Sequence, residues 1–125
     1  MFYIHLNHVE FMACHGVLDA EKVTPQKFIV DVKIETDQII TAAKTDEIDD
    51  ALNYVGVYEL MSHIMMNEQH QLIETLAMKI ATGIINKYSK AIFASVKVTK
   101  ANPPIEGFIG SVSCVYTAYG QNDDA

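Results

Sequence analysis

An α+β domain with the order ββααββ is predicted by three features of this 125-residue chain. Apolar residues alternate with polar ones near both ends, two central segments carry apolar residues at helical spacing, and turn-forming residues separate these stretches. Half of the composition is hydrophobic, enough for one real core, and the length suits a single domain. Residues 1–119 are expected to form that domain and residues 120–125 a frayed polar tail.

The first strand alternates over residues 2–6, and its phase changes at Val9 and Phe11, as one extra residue or a bulge near Asn7-His8 would cause. In the second strand Phe28, Val30, Val32 and Ile34 share one face, while Lys27, Asp31, Lys33 and Glu35 take the other. The connection between them, residues 14–25, is long for a hairpin, so it is expected to pack across the sheet or serve a site. Residues 45–50 read as a polar turn, after which Asn53 caps a helix carrying Tyr54, Val57, Tyr58, Met61, Ile64 and Met65. A second helix, with Ile73, Leu76, Ala77, Ile80, Ile84 and Tyr88 as its stripe, forms an antiparallel layer with the first. Gly83 costs this helix about 1 kcal/mol relative to Ala.

The third strand spans residues 92–100, with Ile92, Ala94, Val96 and Val98 on its apolar face. Lys100 continues that inward parity, and an inward ammonium needs water or an anionic partner. Asn102-Pro103-Pro104 ends the strand, and residues 111–118 supply the last one, with Val112, Cys114 and Tyr116 on one face. Two helices cannot cover both sides of such a sheet, so association of sheets side by side is expected.

The charge balance narrows the function. Nine Lys, no Arg and sixteen acidic residues give a formal net charge of −7, which repels a phosphate backbone and lacks the guanidinium forks that read bases. Nucleic-acid and anionic-membrane binding are therefore disfavoured. The N-terminal residues lack the basic-then-apolar pattern of a signal peptide, and no apolar run reaches the roughly 20 residues of a membrane span. A cytoplasmic protein with Cys14 and Cys114 as free thiols is the expectation.

Four side chains stand out as candidate site groups. Lys100 reads either as a solvent lysine after a strand or as a partly enclosed ammonium with carboxylates nearby. Glu74 is either an ordinary acid at a helix start or, facing a pocket, the acceptor of two N–H bonds from a guanine- or pterin-like edge. Glu21 is a loop acid by default and a ligand for substrate hydroxyls if the loop folds inward. Tyr54 is a boundary aromatic unless its phenol borders a cleft, where it could move a proton or hold water. Adjacent Cys14-His15 does not orient a nucleophile and base, and His5 with His8 lacks further metal ligands. Gly107-Phe108-Ile109-Gly110 lacks the context of a phosphate loop. No metal or other cofactor is expected.

Four stretches together resemble the dihydroneopterin aldolase family. They are Phe11-Met12-Ala13-Cys14-His15-Gly16-Val17-Leu18-Asp19-Ala20-Glu21, Thr45-Asp46-Glu47-Ile48-Asp49-Asp50-Ala51-Leu52-Asn53-Tyr54, Leu72-Ile73-Glu74-Thr75-Leu76-Ala77 and Val98-Thr99-Lys100-Ala101-Asn102-Pro103-Pro104-Ile105. Each is moderately specific; their order and spacing across almost the whole chain are more so. The resemblance implies a T-fold, with an antiparallel four-stranded sheet and two antiparallel helices. It further implies a homo-octamer of stacked tetrameric rings, or a homotetramer, with pockets shared between subunits. It assigns Glu21, Tyr54, Glu74 and Lys100 to the site, with no cofactor. Glu74 with the backbone around Ile73 would hold the pterin, Val17 and Leu52 would flank its ring, and Glu21 would position the tail. Lys100 and Tyr54 would handle protons, and Tyr54 would meet the Lys100 of another chain.

The implied reaction splits 7,8-dihydroneopterin into 6-hydroxymethyl-7,8-dihydropterin and glycolaldehyde in folate biosynthesis, with accompanying epimerase activity. Two positions depart from the family pattern: Ala13 stands where Gly is usual, and Glu106 where Pro is frequent. An epimerase without cleavage, and a noncatalytic purine- or pterin-binding assembly, are the rival readings.

Overall fold

The structure is a computed structural model that describes residues 1–37 and 40–120. Four strands form one antiparallel sheet in the order β1 (Phe2–Ala13), β2 (Gln26–Thr36), β3 (Phe93–Lys100) and β4 (Val112–Tyr119). Helices α3 (Tyr54–Asn67) and α4 (Ile73–Lys87) cover one face, α3 against β1 and α4 against β3 and β4. This is the T-fold topology that the resemblance implies.

Alternation decides which face is covered. Phe28, Val30, Val32 and Ile34 of β2 and Ala94, Val96 and Val98 of β3 are all buried, and they meet Val57, Met61, Leu76, Ile80 and Ile84 of the helices. Lys33 and Lys97 occupy the opposite face and are exposed. The expected phase break is a register shift between Leu6 and Val9, with His8 at φ 56°. The His8 N–H donates instead to the Asp31 carboxylate at 2.8 Å.

Asn53 caps α3 as expected, its side chain accepting from Val55 N at 3.0 Å. Gly83 has a packing reason: a Cβ there would lie 3.1 Å from the Leu60 side chain, so its absence lets α3 and α4 approach. The antiparallel pair is closed at one end by Tyr88, whose hydroxyl donates to the Asn53 carbonyl at 3.2 Å.

Several boundaries differ from the sequence-based expectation. The connection at residues 14–25 holds a short helix, α1 (Asp19–Val23), and the polar turn is preceded by α2 (Ile40–Thr45) and contains a 3-10 turn, Ile48–Asp50. Helices this short carry too few turns to print a periodicity. β3 begins at Phe93, although Ile92 N still donates to Glu35 O at 2.7 Å. Gly120 is held to Ile92 O at 2.7 Å, and the remainder of the expected tail, 121–125, lies outside the described residues. Ala13 is an ordinary buried strand residue, 6% exposed.

Leu76 is fully buried between the helices and the sheet. Leu76→Ala should lower stability by about 2–5 kcal/mol. Urea denaturation at one fixed protein concentration should show a lower midpoint.

Candidate active site

The end of β3, the start of α4 and the arm leading into α1 converge on a cleft of about 400 Å³. Val17, Glu21, Ile73, Glu74 and Lys100 all line it, together with Pro104 and Cys114. A second cleft of about 410 Å³ lies at the far end of α4, around Asn86, Lys87, Tyr88 and Gly120, and no carboxylate lines it among the described residues.

Lys100 ends β3 on the inward parity, directly across from Phe28 in the register. Its ammonium is paired with Glu21 Oε2 at 2.5 Å, and the two side chains are 15% and 8% exposed. Glu21 is fixed from three further directions. Gln26 Nε2 donates to Oε2 at 3.0 Å, Leu18 N donates to Oε1 at 3.2 Å, and Gly16 offers the space: a Cβ there would overlap the Glu21 side chain. Gly16 has φ +153°, which also favours glycine. Burial pushes the Glu21 carboxyl up, but the bonds from Lys100, Gln26 and Leu18 outweigh it and hold it below the ordinary 4.5. The pair is an anion and a cation in contact, shielded from most of the solvent.

Glu74 stands exposed in the first turn of α4 and faces the same cleft. Its helix begins at Leu72, which has no side-chain oxygen to cap it. The first bonds back to Leu72 O come from Thr75 N and Leu76 N, leaving the Ile73 and Glu74 amides open to a ligand. Burial and the neighbouring Glu74 charge push the Cys114 thiol up, so it lines the cleft as a neutral thiol.

His15 is 1% exposed and has both ring nitrogens in use. Nδ1 accepts from His70 N at 3.0 Å and Nε2 contacts the Met65 carbonyl at 2.8 Å, which fixes the Nε2–H tautomer and leaves no lone pair for a base. Burial first, with His70 and Lys100 adding to it, lowers its pKa despite the Met65 bond and the Glu68 charge.

Two expected site residues are not in this cleft. Leu52 is 3% exposed because the core of its own chain takes its side chain, so it does not flank the cleft. Tyr54, 60% exposed, opens α3 beside the end of α4, at the opposite end of the helical layer from Glu74. The length of α4 sets that distance at roughly 20 Å. Gln26 and Cys114 were not singled out from sequence: a strand-start Gln and a strand Cys carry no local signal of the acids they meet. Glu106 is exposed in a turn closed by Phe108 N donating to Ile105 O at 3.1 Å, with Gly107 at φ 79°. That is the type II pattern, in which Pro suits the position Glu106 occupies; its acid does not line the cleft.

Glu21→Gln should leave a nearly buried ammonium without its counter-charge and cost about 3–5 kcal/mol near neutral pH. The sign of the pH effect follows from the lowered folded-state pKa. The pair's contribution is complete above the ordinary 4.5 and is lost as pH falls through Glu21's lower folded value. Chemical denaturation from pH 7 downwards should show that acid loss in the wild type and a shallower loss in Glu21→Gln.

Comparison with known proteins shows the family. The family model for dihydroneopterin aldolase (FolB) matches residues 4–117. The dihydroneopterin aldolase of Staphylococcus epidermidis is 38% identical over 109 residues, 87% of this chain and 89% of the relative. That of Bacillus subtilis is 34% identical over 114 residues, 91% and 94% of the two chains. The crystal structure of Escherichia coli dihydroneopterin aldolase in complex with neopterin superposes with a TM-score of 0.83 at 21% identity, covering 94% of this chain and 99% of that one. On this evidence the chain belongs to the dihydroneopterin aldolase family.

Proposed function

We propose that this enzyme cleaves 7,8-dihydroneopterin by a retro-aldol reaction to 6-hydroxymethyl-7,8-dihydropterin and glycolaldehyde, and that it also epimerises the substrate at C2′. The observation that carries this reading is one cleft holding a free carboxylate, Glu74, and an ammonium–carboxylate pair, Lys100 with Glu21.

The ends of the cleft suit the ends of the substrate. Glu74 can accept from the 2-amino group and N3–H of a pterin, with the open amides of Ile73 and Glu74 donating to the ring's acceptor atoms. Val17, Ile73 and Pro104 supply apolar surface for the ring. At the other end Glu21 can accept from a hydroxyl of the tail while keeping its bond to Lys100.

In the reaction the 2′-hydroxyl loses its proton and becomes the aldehyde of glycolaldehyde as the C1′–C2′ bond breaks. The bonding electrons pass through C6 to N5, which takes up a proton, so the substrate's own imine accepts them. Protonation at C1′ with loss of the N5 proton restores the C6=N5 bond and completes the hydroxymethyl group. Lys100 acts in these transfers with ordered water, and no covalent bond to the enzyme is required. Readdition of the aldehyde to C1′ before release, with its other face presented, gives the epimer.

Tyr54 cannot join Lys100 within one chain, given the length of α4 between their ends of the helical layer. In the proposed assembly it comes from a neighbouring subunit, with Leu52 in the segment behind it. Among the described residues the outer edges of β1 and β4 are unpaired, which suits a ring of four subunits closed edge to edge, two of which stack into an octamer.

Incubating the purified, metal-free protein with 7,8-dihydroneopterin should release glycolaldehyde. Lys100→Ala should lower kcat by about 10²–10⁴-fold while retaining pterin binding; equal turnover in variant and wild type would remove Lys100 from the chemistry. A mixture of Lys100→Ala and Tyr54→Phe subunits, dissociated and reassembled together, should recover activity that neither variant has alone. No recovery in mixed oligomers would contradict a site shared between chains.

A further inference from the structure

The two carboxylates of the cleft sit on separate arms. Glu21 follows the arm that leaves β1 at residue 14, and Glu74 follows the loop that joins α3 to α4. Glu74 is secured by α4, whose other face is buried in the core, whereas Glu21 belongs to a five-residue helix. The placement of Glu21 therefore depends on what ties its arm down.

Much of that tie passes through one residue that lines neither wall. The His15 ring accepts from His70 N at 3.0 Å and donates through Nε2 to Met65 O at 2.8 Å, spanning the α3–α4 loop. The next residue returns the bond, Gly16 N donating to His70 O at 3.0 Å. The His15 carbonyl accepts from Gln26 Nε2 at 3.3 Å, and the same amide nitrogen donates to Glu21 Oε2 at 3.0 Å. Hydrogen bonds to the ring and to the carbonyl of His15 thus tie the α3–α4 loop, through His15 and Gln26, to Glu21 and on to Lys100. The ring packs T-shaped with Phe28, centroids 5.4 Å apart, and stacks with His70, centroids 6.2 Å apart.

We infer that His15 is a positioning residue for the cleavage reaction, clipping the Glu21 arm to the α3–α4 loop so that the Glu21–Lys100 pair is held at a fixed distance from Glu74. This rests on the reading of that pair as the reacting end of the cleft. Only the neutral Nε2–H form serves, because a proton on Nδ1 would face the His70 N–H, donor against donor. The charged and titratable groups around the ring are His70, Glu68 and Lys100.

Three substitutions separate positioning from mere stability. His15→Phe keeps the ring's bulk and loses both bonds; His15→Asn keeps an acceptor towards His70 N; His15→Gln reaches Met65 O but not His70 N. With dihydroneopterin as substrate, His15→Phe should lose about tenfold or more in kcat. Its KM should stay within about threefold, because Glu74 still holds the ring. His15→Asn should recover more of kcat than His15→Gln. A folded His15→Phe with kcat within about twofold of wild type would overturn the inference, whatever its melting temperature. If His15→Phe fails to fold, the Asn and Gln variants decide: equal kcat, or Gln above Asn, overturns it. Wild-type protein that releases no glycolaldehyde would instead defeat the functional reading, and that is seen before any variant is assayed.

Discussion

A lysine at the end of a central strand, facing inward, sets the terms for everything around it. An ammonium with little access to water needs a counter-charge in contact. Here Glu21 supplies it, from a point in the chain 79 residues away. Bringing that acid across the sheet requires the long connection after β1, a glycine at position 16 where a Cβ would occupy the space Glu21 needs, and an amide at Gln26 to hold its second direction. The His15-Gly16 pair is thus read physically: one residue anchors the arm and the next lets the acid fold beneath it.

The same arrangement leaves Glu74 free. Its helix lacks a side-chain cap, so its carboxylate and the first amides of α4 together present two acceptors and two donors to the cleft. A flat heterocycle with alternating donors and acceptors along one edge complements such a set. In the proposed reading the paired acid serves the chemistry and the unpaired acid serves recognition, so that two carboxylates would take distinct roles from their different environments.

Much of this was legible in the sequence because the relevant signals are local. Period-two alternation gave β2 and β3 their faces, the phase change in β1 marked the bulge at Leu6–Val9, and Asn53 announced the start of α3. Lys100 stood out by breaking an apolar parity. The short α1 is not legible, since five residues leave no periodic trace. The support given by His15 is not legible because its ring partners are remote: Met65 and His70 lie 50 and 55 residues away. Leu52 is expected at the ring by family likeness, whereas within one chain its side chain lies in the buried core. The location of Tyr54 relative to Lys100 depends on how subunits meet, which spacing within one chain does not encode.

The central claim is that one cleft orients a pterin between Glu74 and the Glu21–Lys100 pair. A crystal structure of the assembled protein with a non-cleavable, fully oxidised pterin tests it most directly. The ring's 2-amino and N3 edge should lie on the Glu74 carboxylate, with the C6 substituent directed at Lys100 Nζ. A ring bound in the cleft at the far end of α4, or with its amino edge turned to Lys100, would contradict the account.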